Sequence, residues 1–72
     1  DIKTYFSDLP VARREAIAAE LDTTVEYLML QIGGGHRRAS AELAKRIEVA
    51  TNGAVTRHDL RPDIFDPVAT QA

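Results

Sequence analysis

The side chains with chemistry to offer fall in two short stretches. His36, Arg37 and Arg38 open a segment that continues to Lys45 and Arg46, and residues 36–46 hold four cations against the single acid Glu42. Just upstream lie Tyr27, Leu30 and Gln31. Guanidinium and ammonium groups neutralise phosphates whatever the base sequence, whereas a carboxamide can make two hydrogen bonds to the edge of an adenine. Recognition of a polyanion is therefore the chemistry on offer. Catalysis is not. The chain has no cysteine, and its two histidines, His36 and His58, cannot complete a zinc site alone. No Ser-His-acid or paired-carboxylate arrangement has a pocket to occupy, so neither enzyme nor cofactor nor metal is expected. His58 reads as a surface residue.

Those side chains sit on one small domain. The chain is 72 residues and 7.9 kDa, 44% hydrophobic and 28% charged, with a net charge of -2. That is enough apolar content for one modest core. The charge is unevenly spread: residues 1–35 carry three cations against six acids, and residues 47–72 carry two against four. The negative total opposes non-specific attraction to DNA and concentrates the positive charge in 36–46. No apolar run approaches a membrane span and no signal segment opens the chain, so a cytoplasmic protein is expected. The first residue is Asp1 rather than Met, which points to removal of a start residue or tag with little else missing.

Hydrophobic spacing gives the elements. Ile2, Tyr5, Phe6 and Leu9 mark a first short helix. Asp8 and Pro10 end it and restart the chain in a second helix reaching about Leu21, with Ile17, Ala18 and Leu21 inward and Arg14 in the same phase. Arg14 is expected to snorkel or to pair with an acid such as Glu48. Thr23 to Glu26 matches a capping box opening a third helix, whose inward residues are Val25, Leu28 and Ile32. Glu26, Tyr27, Leu30 and Gln31 then face outward, with Met29 at the boundary. Gly33, Gly34 and Gly35 stop that helix. Ser40 caps a fourth helix carrying Leu43, Ile47 and Ala50, which Asn52 and Gly53 end. Thr56 to Asp59 matches a second capping box and a short fifth helix before Pro62. The expected fold is all-α, a compact domain of four to five helices over residues 1–65 with a flexible tail at 66–72.

Asp22 and two threonines leave too little chain for anything but a sharp turn between the second and third helices, as in a helix-turn-helix. The segment AIAAELDTTVEYL resembles the helix-turn-helix of phage Cro and CI repressors. Further along, GGGHRRASAELAKRIEVATNGAVTRHDLRPDIF resembles the YdaS-like branch of Cro-type regulators, which tends to show YLxQIxxGxRRxSxxLAxxIExATGGxVTxxxLRPDIF. The likeness covers residues 2–65. Two departures stand out. Asp22 occupies a turn position usually held by Gly, and YLMLQIGGG carries one residue more than YLxQIxxG. If a bulge absorbs that residue, Gln31 is expected to rotate inward.

The resemblance implies a sequence-specific regulator, a Cro-like repressor of prophage or mobile-element origin acting on operator DNA in a bacterial cell. It places His36, Arg37 and Arg38 in a loop along the phosphate backbone, with Arg13 touching backbone from the second helix and Lys45 a weaker phosphate contact. Thr24, Glu26, Tyr27, Leu30 and Gln31 complete the DNA-facing set. Gln31 is its base reader, and Glu26 is better explained as a cap than as a reader of cytosine. Binding as a dimer or higher oligomer is expected, since one such module offers few base contacts. Its surface is assigned to Val55, Leu60, Ile64 and Phe65, more apolar than a terminal tail requires. The alternative is an antitoxin or other interaction module whose main partner is a protein, met through Tyr27, Met29 and Leu30.

Overall fold

In the computed structural model, which describes residues 1–66, the chain forms α1 (Ile2–Ser7), α2 (Val11–Glu20), a π-helix π1 (Tyr27–Ile32), α3 (Ala41–Ala50) and α4 (Arg57–Leu60). Among the described residues there is no strand, so the all-α expectation holds. Apart from Asp66, the expected flexible tail lies outside the described residues. Phe6, Ile17, Leu28, Ile47 and Val55 are completely buried, one from each stretch of the chain, and they form the centre of a single core.

The first corner is built by side chains reaching for backbone. Asp1 caps α1 by accepting from the Thr4 N–H at 3.0 Å. Asp8 closes α1 instead of capping α2, which begins after Pro10 with no side-chain cap. Arg14 donates from Nε to the Leu9 carbonyl at 2.9 Å and from Nη2 to the Ser7 carbonyl at 3.2 Å. Its expected pairing with Glu48 is not made. The end of α1 leaves carbonyls without helical partners, and the first turn of α2 brings the guanidinium to them. Glu48 is instead paired with Arg57.

The turn between α2 and π1 is a Schellman motif. Thr23 N–H donates to the Ala18 carbonyl at 2.9 Å and Asp22 N–H to the Ala19 carbonyl at 3.0 Å, with Asp22 at φ 60°. Asp is one of the few non-glycine residues that adopts this left-handed region, so it serves at a turn position where Gly is expected. Because the turn consumes Thr23, the cap falls one residue later than expected: Thr24 Oγ1 accepts from the Tyr27 N–H at 3.1 Å. Glu26 then lies within the first turn and makes no capping bond.

The expected extra residue of YLMLQIGGG coincides with a π-helix over Tyr27–Ile32, in which hydrogen bonds close over five residues instead of four. Gly33 N–H donates to the Leu28 carbonyl at 2.9 Å. The consequence expected for Gln31 does not follow. Leu28 and Ile32 both stay buried, Tyr27 and Met29 pack half-buried at the core margin, and Leu30 and Gln31 remain exposed. Gly35 at φ 80° completes the exit, where the N–H groups of His36 and Arg37 both donate to the Gln31 carbonyl, at 2.9 and 3.0 Å.

Ser40 caps α3 as expected, its Oγ accepting from the Leu43 N–H at 3.1 Å. Ala44, Ile47 and Ala50 face the core, with Leu43 half-buried beside them. A second Schellman turn ends the helix, with Asn52 at φ 54°, Gly53 at φ 84° and a 2.8 Å bond from the Gly53 N–H to the Glu48 carbonyl. Thr51, buried, donates its hydroxyl to the Ile47 carbonyl at 2.8 Å and accepts from the Val55 N–H at 3.1 Å. That hydroxyl folds the chain back beneath α3 and places Val55 in the core. The capping box at Thr56 and Asp59 forms with both bonds present and starts α4.

Candidate nucleic-acid interface

α2, the turn at 21–24 and π1 make a helix-turn-helix. Around π1 the exposed side chains are Glu26, Leu30 and Gln31, with Leu30 58% exposed. Thr24 is exposed but commits its hydroxyl to the cap, and Tyr27 is partly turned toward the core, so both have less to offer a ligand than the spacing implied. The Gln31 side chain makes no hydrogen bond among the described residues, leaving its carboxamide donors and acceptor available.

The basic segment follows π1 directly, fastened to it by the two N–H groups on the Gln31 carbonyl. His36, Arg37 and Arg38 are all exposed. Their situations differ. Among the described residues Arg37 makes no side-chain hydrogen bond or ion pair, whereas Arg38 Nη1 lies 3.0 Å from Asp63 Oδ2. Arg61 also holds that carboxylate, from Nε at 3.0 Å and Nη2 at 2.9 Å, and donates from Nη1 to the Ala39 carbonyl at 3.0 Å. The hydrogen bonds from Arg61, aided by the charges of Arg61 and Arg38, lower the Asp63 pKa from 3.8 to about 2, and the same pairing raises that of Arg61. Folding with a depressed carboxyl pKa favours the ionised form, so this stabilisation is present at neutral pH and is lost as pH falls through about 2.

The remaining cations divide in the same way. Arg13 is exposed and unpaired among the described residues. Arg46 donates to the Glu20 carbonyl at 3.1 Å and so closes the end of α2. Lys45 sits 6.0 Å and Arg57 5.6 Å from the centre of the Phe65 ring, so Lys45 is drawn to an aromatic face as well as to solvent. In the loop that follows π1, the free positive groups are thus Arg37 and the outer edge of Arg38.

The residues assigned to self-association are separated by the fold. Val55 is completely buried and presents no surface, a correction that follows from the Thr51 hydroxyl drawing it inward. Leu60 and Phe65 are half-buried against the core, and His58 Nδ1 donates to the Phe65 carbonyl at 2.8 Å. Only Ile64 of the four is exposed, at 49%. Sequence reasoning missed Asp63 and Arg61; the acid beside Pro62 and the cation before it were visible, but nothing in their spacing pointed across the chain to residues 38 and 39. It also missed a mainly apolar groove between α2 and the start of π1, lined by Val11, Ala18, Val25, Met29 and Leu30 together with the charged Arg14, Glu15 and Glu26.

The arrangement defines a small helix-turn-helix domain with an outward carboxamide and an adjoining arginine loop. The chain matches the family described as bacterial toxin YdaS over residues 11–69, and it belongs to that family. It is also similar to a protein of Escherichia coli (strain K12) named a prophage transcriptional regulatory protein, at 39% identity over 64 residues covering 89% of this chain and 96% of that one. Among the described residues no helix is long and apolar enough to cross a membrane.

Proposed function

We propose that this chain is a transcriptional regulator without enzymatic activity, a Cro-like repressor of prophage origin that binds operator DNA as a dimer or higher oligomer. The observation that carries the proposal is the continuity of Gln31 with Arg37 and Arg38: one exposed carboxamide on the second element of a helix-turn-helix, then two exposed cations in the loop hydrogen-bonded to its end. In such domains the second helix enters the major groove and flanking segments grip phosphates. The relative's name supports regulation of transcription. A regulator that deranges host expression is also compatible with a family described as toxic, so the two descriptions do not conflict.

A second reading is favoured by the apolar groove and by Leu30 at its edge: a protein partner is the principal ligand. The discriminating experiment is a competition assay in which labelled duplex from the region flanking the gene is challenged with unrelated duplex. A DNA-reading regulator prefers its own site by about 10³-fold or more at physiological salt. Equal competition by unrelated duplex would favour the protein-partner reading.

A further inference from the structure

Arg38, Asp63, Arg61 and Ala39 form a closed ring. The Arg38 guanidinium meets Asp63 Oδ2 at 3.0 Å, Arg61 grips both oxygens of that carboxylate at 3.0 and 2.9 Å, and Arg61 Nη1 returns to the Ala39 carbonyl at 3.0 Å. Ala39, next in the chain to Arg38, is itself only 1% exposed. The two arginines are placed differently: the side chain of Arg61 is 20% exposed and that of Arg38 is 68% exposed. Arg61 is therefore the inner half of the ring and Arg38 the outer.

We propose that Asp63 is a positioning residue for DNA binding, holding Arg38 so that its outward N–H groups meet a phosphate. The proposal rests on the reading of residues 36–38 as a backbone-contacting loop. A guanidinium has five N–H donors in a rigid fork, so a single ion-pair contact from Nη1 to Asp63 leaves most of them free while keeping the group beside the carboxylate. The loop that carries Arg38 follows three glycines and has no regular secondary structure, so without the ring the side chain must be ordered at the moment of binding. Two guanidinium groups around one carboxylate leave the ring net positive, so attraction to a polyanion survives. The sign of the effect identifies the role. If Asp63 acted only through its charge, its removal would strengthen DNA binding; as a positioning residue, its removal weakens it.

The test is fluorescence anisotropy with the flanking duplex on the intact chain, comparing wild type, Asp63→Asn, Asp63→Glu, Arg38→Ala and the Arg38→Ala/Asp63→Asn double variant, with circular dichroism of each. Asp63→Asn should weaken binding about three- to tenfold and add no further loss in the Arg38→Ala background, the non-additivity expected of groups that act together. Asp63→Glu, which keeps the carboxylate, should bind better than Asp63→Asn, and it remains informative if the latter folds poorly. Unchanged or tighter binding by Asp63→Asn, or an equal loss with and without Arg38, would overturn the positioning role. Arg37 lies outside the ring and tests the underlying reading separately. If Arg37→Ala weakens binding and Asp63→Asn does not, positioning alone is wrong; if wild type binds no duplex, the reading and the proposal fall together.

Discussion

Gln31 and Tyr27 illustrate how much a single residue's role depends on the helix type beneath it. With Leu28 and Ile32 buried, Gln31 is exposed and its side chain makes no hydrogen bond among the described residues, while Tyr27 is partly withdrawn into the core margin. Gln31→Ala should therefore change unfolding stability by less than about 0.5 kcal/mol yet reduce discrimination at one base pair by about 1–3 kcal/mol. Thermal unfolding and a panel of single-base operator variants check both parts. Equal loss across all operators would remove Gln31 as the base reader. At this scale the sequence was informative about which residues carry chemistry and less so about what restrains them. Arg37 and Arg38 are adjacent and identical in type, yet only Arg38 has an acid opposite it, because Asp63 comes from a loop that no local pattern ties to residue 38.

The elements follow from caps and turns whose chemistry is local, which is why most of them were legible. Ser40 and the Thr56–Asp59 box cap the helices that their spacing announced. The errors arose where two local signals overlapped. Thr23 and Thr24 are both competent caps, and the Schellman turn at Asp22 takes the first, leaving the second for π1. The π-helix had a trace in the sequence, one residue too many before the glycines, but its effect on side-chain direction depends on which apolar residues the core retains. Thr24→Ala should cost about 1 kcal/mol of stability, within the usual range of about 0.5–2 kcal/mol for losing a cap, whereas Thr23→Ala should cost less. Urea unfolding of the two variants measures the difference, and a larger loss at Thr23 would contradict the assigned cap.

For the whole molecule, the segment after α3 is part of the core and not an appendage. Val55 is completely buried and Leu60 and Phe65 lean on the same core, so apolar content alone was a poor guide to self-association. Cutting the chain after Gly53 would remove Val55 and test folding more than assembly. Ile64, 49% exposed, is the better probe. If the C-terminal surface mediates the proposed dimer, Ile64→Asp should shift sedimentation to a smaller species while circular dichroism is preserved; an unchanged sedimentation coefficient would place the interface elsewhere.

If the loop following π1 grips the DNA backbone while π1 faces the bases, DNA binding must depend on salt through Arg37 and Arg38. For a protein that neutralises phosphates, the logarithm of affinity falls linearly with the logarithm of salt concentration, with a slope set by the number of contacts, about 0.9 per phosphate on duplex DNA. Replacing both Arg37 and Arg38 with Ala should weaken specific and unrelated duplexes alike and reduce the steepness of that slope by about 1.8, two contacts at about 0.9 each. A wild-type slope retained by the double variant would mean that neither arginine contacts a phosphate.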